Sequence, residues 1–440
     1  MLIDLEKYHQ ALAEINPVRV NGKISEIIGL VVEGTGPSVS IGEICGIYSS
    51  PDDDKPVNAE VVGFRKGKVL LMPLENMQGL GPGCRIVAIR KRSSIRVGKE
   101  LLGRIIDGLG NPIDNRGPLQ CHDERPIYAD PLNPLDRSRI REPIDLGVRA
   151  INGLLTCGKG QRVGIFAGSG VGKSVLLGMF ARNTRADINV IGLIGERGRE
   201  VRDFLEKNLG PEGLAKSVIV VSGSDTHPLI RMRAAYVATT IAEYFRDQGG
   251  KDVLLMVDSL TRFAMAQREI GLSVGEPPTT KGYTPSVFSM LPKLLERAGS
   301  IEKGGSITGL YTILVEGDDF NEPISDAARS ILDGHVILSR ELASKNHYPA
   351  IDILNSKSRL MVDVIDKEHR QNAGEILNLM AVYRKAEDMI NIGAYVKGSN
   401  QEIDRSIAMI DRINAFLCQD IEAKITLQES IQDLDSLLRT

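Results

Sequence analysis

The octapeptide Ala167-Gly168-Ser169-Gly170-Val171-Gly172-Lys173-Ser174 constrains this chain more than any other stretch. It follows the apolar run Arg162–Ala167, which reads as a strand, and precedes Val175–Phe180, which reads as a helix. Glycines at this density let successive backbone N–H groups converge on one point, and a helix starting there adds its positive end. The result is a cradle for a phosphate chain. Lys173 is placed to reach the terminal phosphates and Ser174 to offer its hydroxyl to Mg²⁺, with Ala167 to Val175 lining the nucleotide. The strict pattern begins with glycine where this chain has Ala167. A small residue is expected to suffice there, because the crowding is mild. The bland alternative, a glycine-rich turn with a solvated lysine, does not explain the strand before it or the helix after it.

Two further segments end apolar strands in a carboxylate. Val253-Leu254-Leu255-Met256-Val257-Asp258 reads as a buried strand, and ligands of open parallel sheets bind at the carboxyl ends of strands. After a phosphate loop, Asp258 becomes a candidate for holding Mg²⁺, through water. Gly192-Leu193-Ile194-Gly195-Glu196 is followed by Arg197-Gly198-Arg199-Glu200. Hydrolysis of a phosphoanhydride needs a group that orients water and takes its proton, which suits Glu196. Arg197 suits charge stabilisation on the transferred group. A solvated loop of paired ions explains the same residues equally well.

Strand-like runs Arg162–Ala167, Ile188–Gly195, Ser217–Ser222, Asp252–Val257, Ile307–Val315 and His335–Ser339 alternate with helical stretches. This pattern predicts an α/β domain over 146–366 with a mostly parallel sheet covered on both faces. Short β runs such as Ile27–Val32 and Val69–Met72 lie among the turn signals Asn21-Gly22, Lys66-Gly67-Lys68 and Gly81-Pro82-Gly83. They predict a small β-barrel over 18–95. Residues 96–145, rich in Gly, Pro and Asp, read as a linker, and 367–440 as a helical domain. At the start, Met1, Leu5, Tyr8, Leu12 and Ile15 form one stripe of a helix over 1–17, which either packs on its own protein or docks a partner helix.

Composition narrows the function. The 54 Lys+Arg and 57 Asp+Glu leave a net charge of −3, against a wrapper of nucleic acid. Aromatics are 4% with no Trp, against a base-stacking platform. The cysteines Cys45, Cys84, Cys121, Cys157 and Cys418 are widely spaced and form no CxxC pair, which points to a reducing compartment. No leader pattern and no apolar run of about 20 residues is seen, so a cytoplasmic protein is expected.

The phosphate loop, the Gly-Glu-Arg segment and Asp258 together resemble the catalytic β subunit of F-type ATP synthases. Pro349-Ala350-Ile351-Asp352, with Ser356 and Ser358, is similar to the signature of that α/β ATPase family. The stretches Asp258-Ser259-Leu260-Thr261-Arg262-Phe263 and Gly275-Glu276-Pro277-Pro278-Thr279-Thr280-Lys281-Gly282-Tyr283 resemble the export ATPases of type III secretion. Ile392-Gly393-Ala394-Tyr395-Val396-Lys397-Gly398-Ser399 resembles their flagellar branch.

The resemblance runs from about Val18 to the C-terminus. It implies a RecA-like P-loop domain and ATP hydrolysis with Mg²⁺ that energises protein export. Glu196 matches the family's catalytic carboxylate, Arg359 its arginine finger, which acts on a neighbour's nucleotide, and Tyr348 the aromatic on the adenine. A core aromatic remains an alternative for Tyr348. The implied assembly is a homo-hexamer at the inner-membrane export apparatus. An export regulator or stator protein would sit on the N-terminal helix, with chaperones, cargo and an export gate as partners and no nucleic acid. The 271–285 loop reads as a mobile segment facing the ring's pore or as a plain surface loop. Competing readings are a virulence injectisome ATPase, a synthase catalytic subunit and an RNA translocase. The synthase reading lacks an acidic run after the catalytic core, and the translocase reading lacks a basic aromatic surface.

Overall fold

The computed structural model describes residues 21–439 apart from 51–54, 91–92, 303, 316, 318 and 321. The helix expected over 1–17 lies outside the described residues. The chain divides into two compact units, one built on residues up to Ser93 with Leu272–Glu276, the other on Ser94–Gly271 and from Pro277 onward.

In the first unit six strands close into an antiparallel barrel. Around the barrel they run Gly22–Ile28, Val31–Thr35, Lys68–Pro73, Val57–Arg65, Ile44–Tyr48 and Arg85–Arg90. Alternate residues face inward, so Ile24, Val32, Cys45, Ile47, Val61, Val69, Leu71 and Ile86 fill the interior. Closure leaves no unpaired edge. Lys66 and Gly67 both have positive φ (48° and 78°), the geometry of a two-residue hairpin turn that matches strand twist. The run Ile27–Val32, expected as one strand, is split by a turn at Gly29-Leu30 into two paired strands. The Asn21-Gly22 signal also misleads, because Gly22 opens a strand. The apolar run crosses the turn although only Val31 and Val32, after it, are buried, while Ile28 before it is exposed.

The second unit carries a nine-stranded sheet among the described residues. Its order is Lys357–Ser358, Gly334–Leu338, Arg162–Ala167, Ser306–Leu314, Asp252–Asp258, Ile188–Glu196, Ser217–Gly223, Ile105–Asp107. Gly299–Ser300 pairs beside Ser306–Leu314. That pair and the Gly334–Lys357 edge are antiparallel, and the other pairings are parallel. The six strands expected here are all present, with ends within a residue or two. They were legible because strands buried on both faces are mostly apolar, as in Ile188–Ile194, where only the buried Asn189 interrupts the run. The fold class expected from sequence is thus the one observed.

Residues 96–145 are built into this unit. Ile105–Asp107 adds the last strand of the sheet, and Ser94–Val97 pairs with Asp123–Pro126. Arg104 donates to both carboxylate oxygens of Asp114 (2.6 and 2.9 Å), which also accepts the Ile105 N–H. The Arg104 guanidinium holds the Asp114 carboxyl far below the usual range. Three residues are too short a strand to show a period, so only the turn residues were visible in sequence.

The C-terminal region is helical: Lys367–Asn391, Gln401–Leu417 and Leu427–Leu438. Each starts at a side-chain cap. Asp366 accepts from His369 N–H, Asn400 from Glu402 N–H, and Thr426 with Glu429 forms a capping box. Ile376, Leu379, Ile413, Phe416 and Leu434 join one apolar cluster with Ile151, Leu154 and the inner face of the sheet. The helices therefore share the core that supports the site. No helix among the described residues is long and apolar enough to cross a membrane.

Candidate functional site

Arg162–Ala167 delivers the chain to the carboxyl edge of the sheet, where the loop 168–172 turns into the helix Lys173–Asn183. Gly170 (φ 80°) and Gly172 (φ 92°) take the left-handed conformation that side chains disfavour. Ala167 is still in the strand, fully buried, with its carbonyl accepting from Val315 N–H (3.0 Å). Its backbone is not left-handed, so alanine is tolerated where the strict pattern has glycine.

The loop lines a cavity of about 680 Å³ together with Lys173, Ser174, Val175, Glu196 and Arg197. Lys173 Nζ lies between two carboxylates. It makes an ion pair with Asp258 and stands 3.5 Å from Glu196 Oε1. The parallel register explains this. Asp258 ends one strand and Leu193 lies opposite it on the neighbouring strand, so Glu196 falls just beyond, over the same edge. Asp258 is 3% exposed and accepts a hydrogen bond from Thr312 Oγ1 (2.6 Å). Burial alone would favour the neutral amine at Lys173, but Asp258 and Glu196 outweigh it and hold the group above the ordinary lysine value. Glu196 is pushed up to about 7, first by burial and then by the Asp258 charge and a hydrogen bond with Glu200, against the pull of Lys173. A carboxyl poised near neutrality beside a phosphate cradle is suited to accept a proton.

The remaining predicted residues fall in two places. Arg197 stands on the cavity rim, its side chain 75% exposed and 3.9 Å from Glu200. Tyr348 flanks the phosphate loop. Its ring would lie 3.6 Å from a Cβ on Gly172, and it lines an adjacent apolar slot of about 290 Å³ with Val175, Met179, Pro349 and Ile421. The residue is 40% exposed, which argues against a core aromatic. Arg359 does not join this group. Its N–H donates to Asp333 O (3.0 Å), just before the strand Gly334–Leu338, and its guanidinium to Arg329 O (3.1 Å). Asp333 also receives Arg162 N–H, at the start of the strand that leads to the phosphate loop. Arg359 thus sits at the amino edge of the sheet. Six residues of strand, at about 3.3 Å each, put it about 20 Å from its own phosphate loop.

Sequence reasoning missed two residues. Thr312 anchors Asp258 from a neighbouring strand, and no local pattern announces it. Arg262 lines the cavity and packs where a Cβ on Gly195 would meet its Cβ at 3.0 Å. Its buried Nε has no hydrogen-bond partner, as suits a group that receives an anion. Its place one turn after Asp258 at the start of the helix Leu260–Val274 was the available signal.

A glycine loop and lysine, two strand-end carboxylates and a flanking aromatic slot on a parallel sheet define a P-loop nucleotide hydrolase. The family model for the ATP synthase alpha/beta family, nucleotide-binding domain, matches residues 147–358, with the family's beta-barrel domain at 24–89. The T3SS EscN ATPase C-terminal domain matches residues 365–436. The flagellum-specific ATP synthase of Bacillus subtilis is 52% identical over 94% of this chain and 94% of its own length. The assembled ATPase EscN of enteropathogenic E. coli type III secretion is 48% identical, with a TM-score of 0.89, covering 94% of this chain and 99% of that one. EscN in complex with its central stalk EscO superposes with a TM-score of 0.87 at 48% identity, with the same two coverages. The chain belongs to the ATP synthase alpha/beta family, in its branch of flagellar and type III secretion ATPases.

Proposed function

We propose that this ATPase works as a ring of identical subunits, each site completed by the Arg359 of a neighbour. The observation that carries this reading is the position of Arg359, exposed at the amino edge of the sheet and about 20 Å from its own phosphate loop. A guanidinium cannot bridge that distance within one chain. The relative EscN is described as assembled, which supports the same reading.

In this reading ATP lies with its phosphates on residues 168–174 and its base against Tyr348. Lys173 exchanges Asp258 and Glu196 for the β- and γ-phosphates. Arg262 receives phosphate charge and Arg197 guards the rim. The Ser174 hydroxyl and the buried Asp258 carboxylate are hard oxygen donors, a set that fits Mg²⁺ once phosphates supply the rest. Bound there, Mg²⁺ neutralises charge on the phosphate oxygens. Glu196 orients a water in line with the γ-phosphate and takes its proton. No covalent enzyme intermediate is involved, and positioning and charge stabilisation supply the rate.

The cellular role we assign is energising protein export at the flagellar base, on the cytoplasmic side of the membrane. The 52% identity to the B. subtilis flagellar protein supports it, and type III secretion relatives at 48% and 53% identity make the injectisome the second reading. A stalk protein, an export regulator at the N-terminus, chaperones with cargo, and the export gate are the partners of this reading.

Specific ATPase rate measured against protein concentration tests the ring. It rises steeply and then saturates as subunits assemble. A rate independent of concentration from the most dilute sample upward, in a protein monomeric by light scattering, refutes a shared site. For the base slot, Tyr348→Ala raises the KM for ATP about tenfold and leaves kcat nearly unchanged, since base stacking contributes about 1–3 kcal/mol to binding. An unchanged KM removes Tyr348 from the site.

A further inference from the structure

The segment Tyr348–Arg359 joins two sites that act on different nucleotides. Tyr348 lines the base slot of its own subunit at the carboxyl edge of the sheet, while Arg359 stands at the amino edge. Between them the chain runs antiparallel to the strand Gly334–Leu338: Leu338 pairs with Ile351, and Gly334 with Ser358. The segment therefore spans the full height of the sheet beside its edge.

Most of its fastenings are to the sheet. Asp352 N–H donates to Ile337 O (2.8 Å), and Ser356 Oγ accepts from Ile337 N–H (2.9 Å). Ser358 Oγ donates to Thr156 O (2.9 Å) and accepts from Gln161 Nε2 (3.1 Å). Two fastenings come from the C-terminal region: Gln419 N–H donates to Tyr348 O (2.9 Å), and the second is a side-chain pair. Arg384, on the C-terminal helix Lys367–Asn391, faces the Asp352 carboxylate as a two-pronged fork, Nη1 to Oδ1 and Nη2 to Oδ2, both 3.3 Å. The Asp352 side chain is 15% exposed and that of Arg384 49%, so the carboxylate is the shielded member of the pair. The same carboxylate organises the bend below it, accepting from Asn355 Nδ2 (2.7 Å) and Asn355 N–H (3.2 Å). Ser356 Oγ closes the bend on Asp352 O (2.6 Å). Almost one turn further along the helix, Glu387 stands 3.9 Å from Lys345, which precedes Tyr348. The helix thus touches the chain on both sides of Tyr348.

We infer that Arg384 is a positioning residue that, through Asp352, ties the C-terminal helices to the Arg359 serving the neighbouring subunit. The inference rests on the ring reading above. A shift of the helix Lys367–Asn391 pulls on Asp352, and the Asn355–Ser356 bend passes that shift to Arg359. A planar guanidinium fork transmits orientation as well as charge, which a lysine ammonium does not.

The test is turnover of Arg384→Ala, Arg384→Lys and Asp352→Asn, each made in the wild-type and the Arg359→Ala background. Affinity for a fluorescent ATP analogue and the concentration for ring assembly are followed in parallel. In the wild-type background Arg384→Ala lowers kcat about tenfold, the scale of one charge-assisted contact, and leaves nucleotide affinity within about twofold. Arg384→Lys recovers part of the loss and Asp352→Asn reproduces it. In the Arg359→Ala background Arg384→Ala costs nothing more, because residues acting through one another are not additive. An equal fractional loss in both backgrounds, or a loss of assembly, means a merely structural role and overturns the inference. Normal turnover of Arg384→Ala beside a crippled Arg359→Ala also overturns it and leaves the ring reading intact. Normal turnover of Arg359→Ala removes the ring reading and this inference with it.

Discussion

Arg359→Ala lowers ATP turnover by about 10³–10⁵-fold, or about 4–7 kcal/mol of transition-state stabilisation, and leaves ATP binding within about twofold. The physical reason is where the charge appears. A guanidinium presented to the γ-phosphate meets its largest negative charge in the transition state, so its loss falls on kcat rather than on affinity. The geometry adds a sharper expectation. Arg359 is fixed at the amino edge by its bonds to Asp333 and Arg329, far from the loop its own chain supplies. Mixing Arg359→Ala subunits with Lys173→Ala subunits, each inactive alone, should restore activity. A Lys173→Ala subunit still presents a finger, and an Arg359→Ala subunit still presents an intact phosphate loop. Mixed rings that stay inactive, or an Arg359→Ala protein with full turnover, would sink the shared-site reading.

Glu196→Gln slows hydrolysis by about 10²–10⁴-fold and keeps ATP bound. The substitution preserves shape and removes the group that takes the proton from water. It also leaves Lys173 and the glycine loop, the groups that hold the phosphates, in place. The pH profile gives a second, independent reading. Burial, Asp258 and Glu200 push Glu196 up to about 7. A general base acts in its deprotonated form, so kcat/KM, which reports the free enzyme, rises as the pH rises through about 7. That limb disappears in Glu196→Gln. A variant that hydrolyses normally, or a wild-type profile flat between pH 6 and 8, moves the role of base to another group.

How much of this was legible differs from element to element. The central strands were read almost to the residue, since most of their residues are buried and apolar, with few polar interruptions such as Asn189 and Thr308. The barrel was read as a class, but Ile27–Val32 concealed a hairpin because its apolar residues run on through the turn although Ile28 is exposed. Residues 96–145 read as a linker because Ile105–Asp107 is too short to carry a period, and its place in the sheet depends on pairing with Ser217–Gly223. At the site, Lys173, Ser174, Glu196 and Asp258 announced themselves as glycines and carboxylates at strand ends. Thr312 did not, because its partner Asp258 lies 54 positions away in the chain.

The sequence alone determined the chemistry available to this protein. A strand, a glycine loop and a helix are adjacent along the backbone, and adjacency in the chain is enough to build a phosphate cradle. Tertiary structure decided what that cradle works with. Register between parallel strands brought Asp258 and Glu196 to Lys173, and the low dielectric around them moved the carboxyl of Glu196 towards neutrality. The antiparallel return beside Gly334–Leu338 carried Arg359 to the opposite edge, out of reach of its own loop. Distances of this kind depend on strand order and register, which no stretch of residues records by itself.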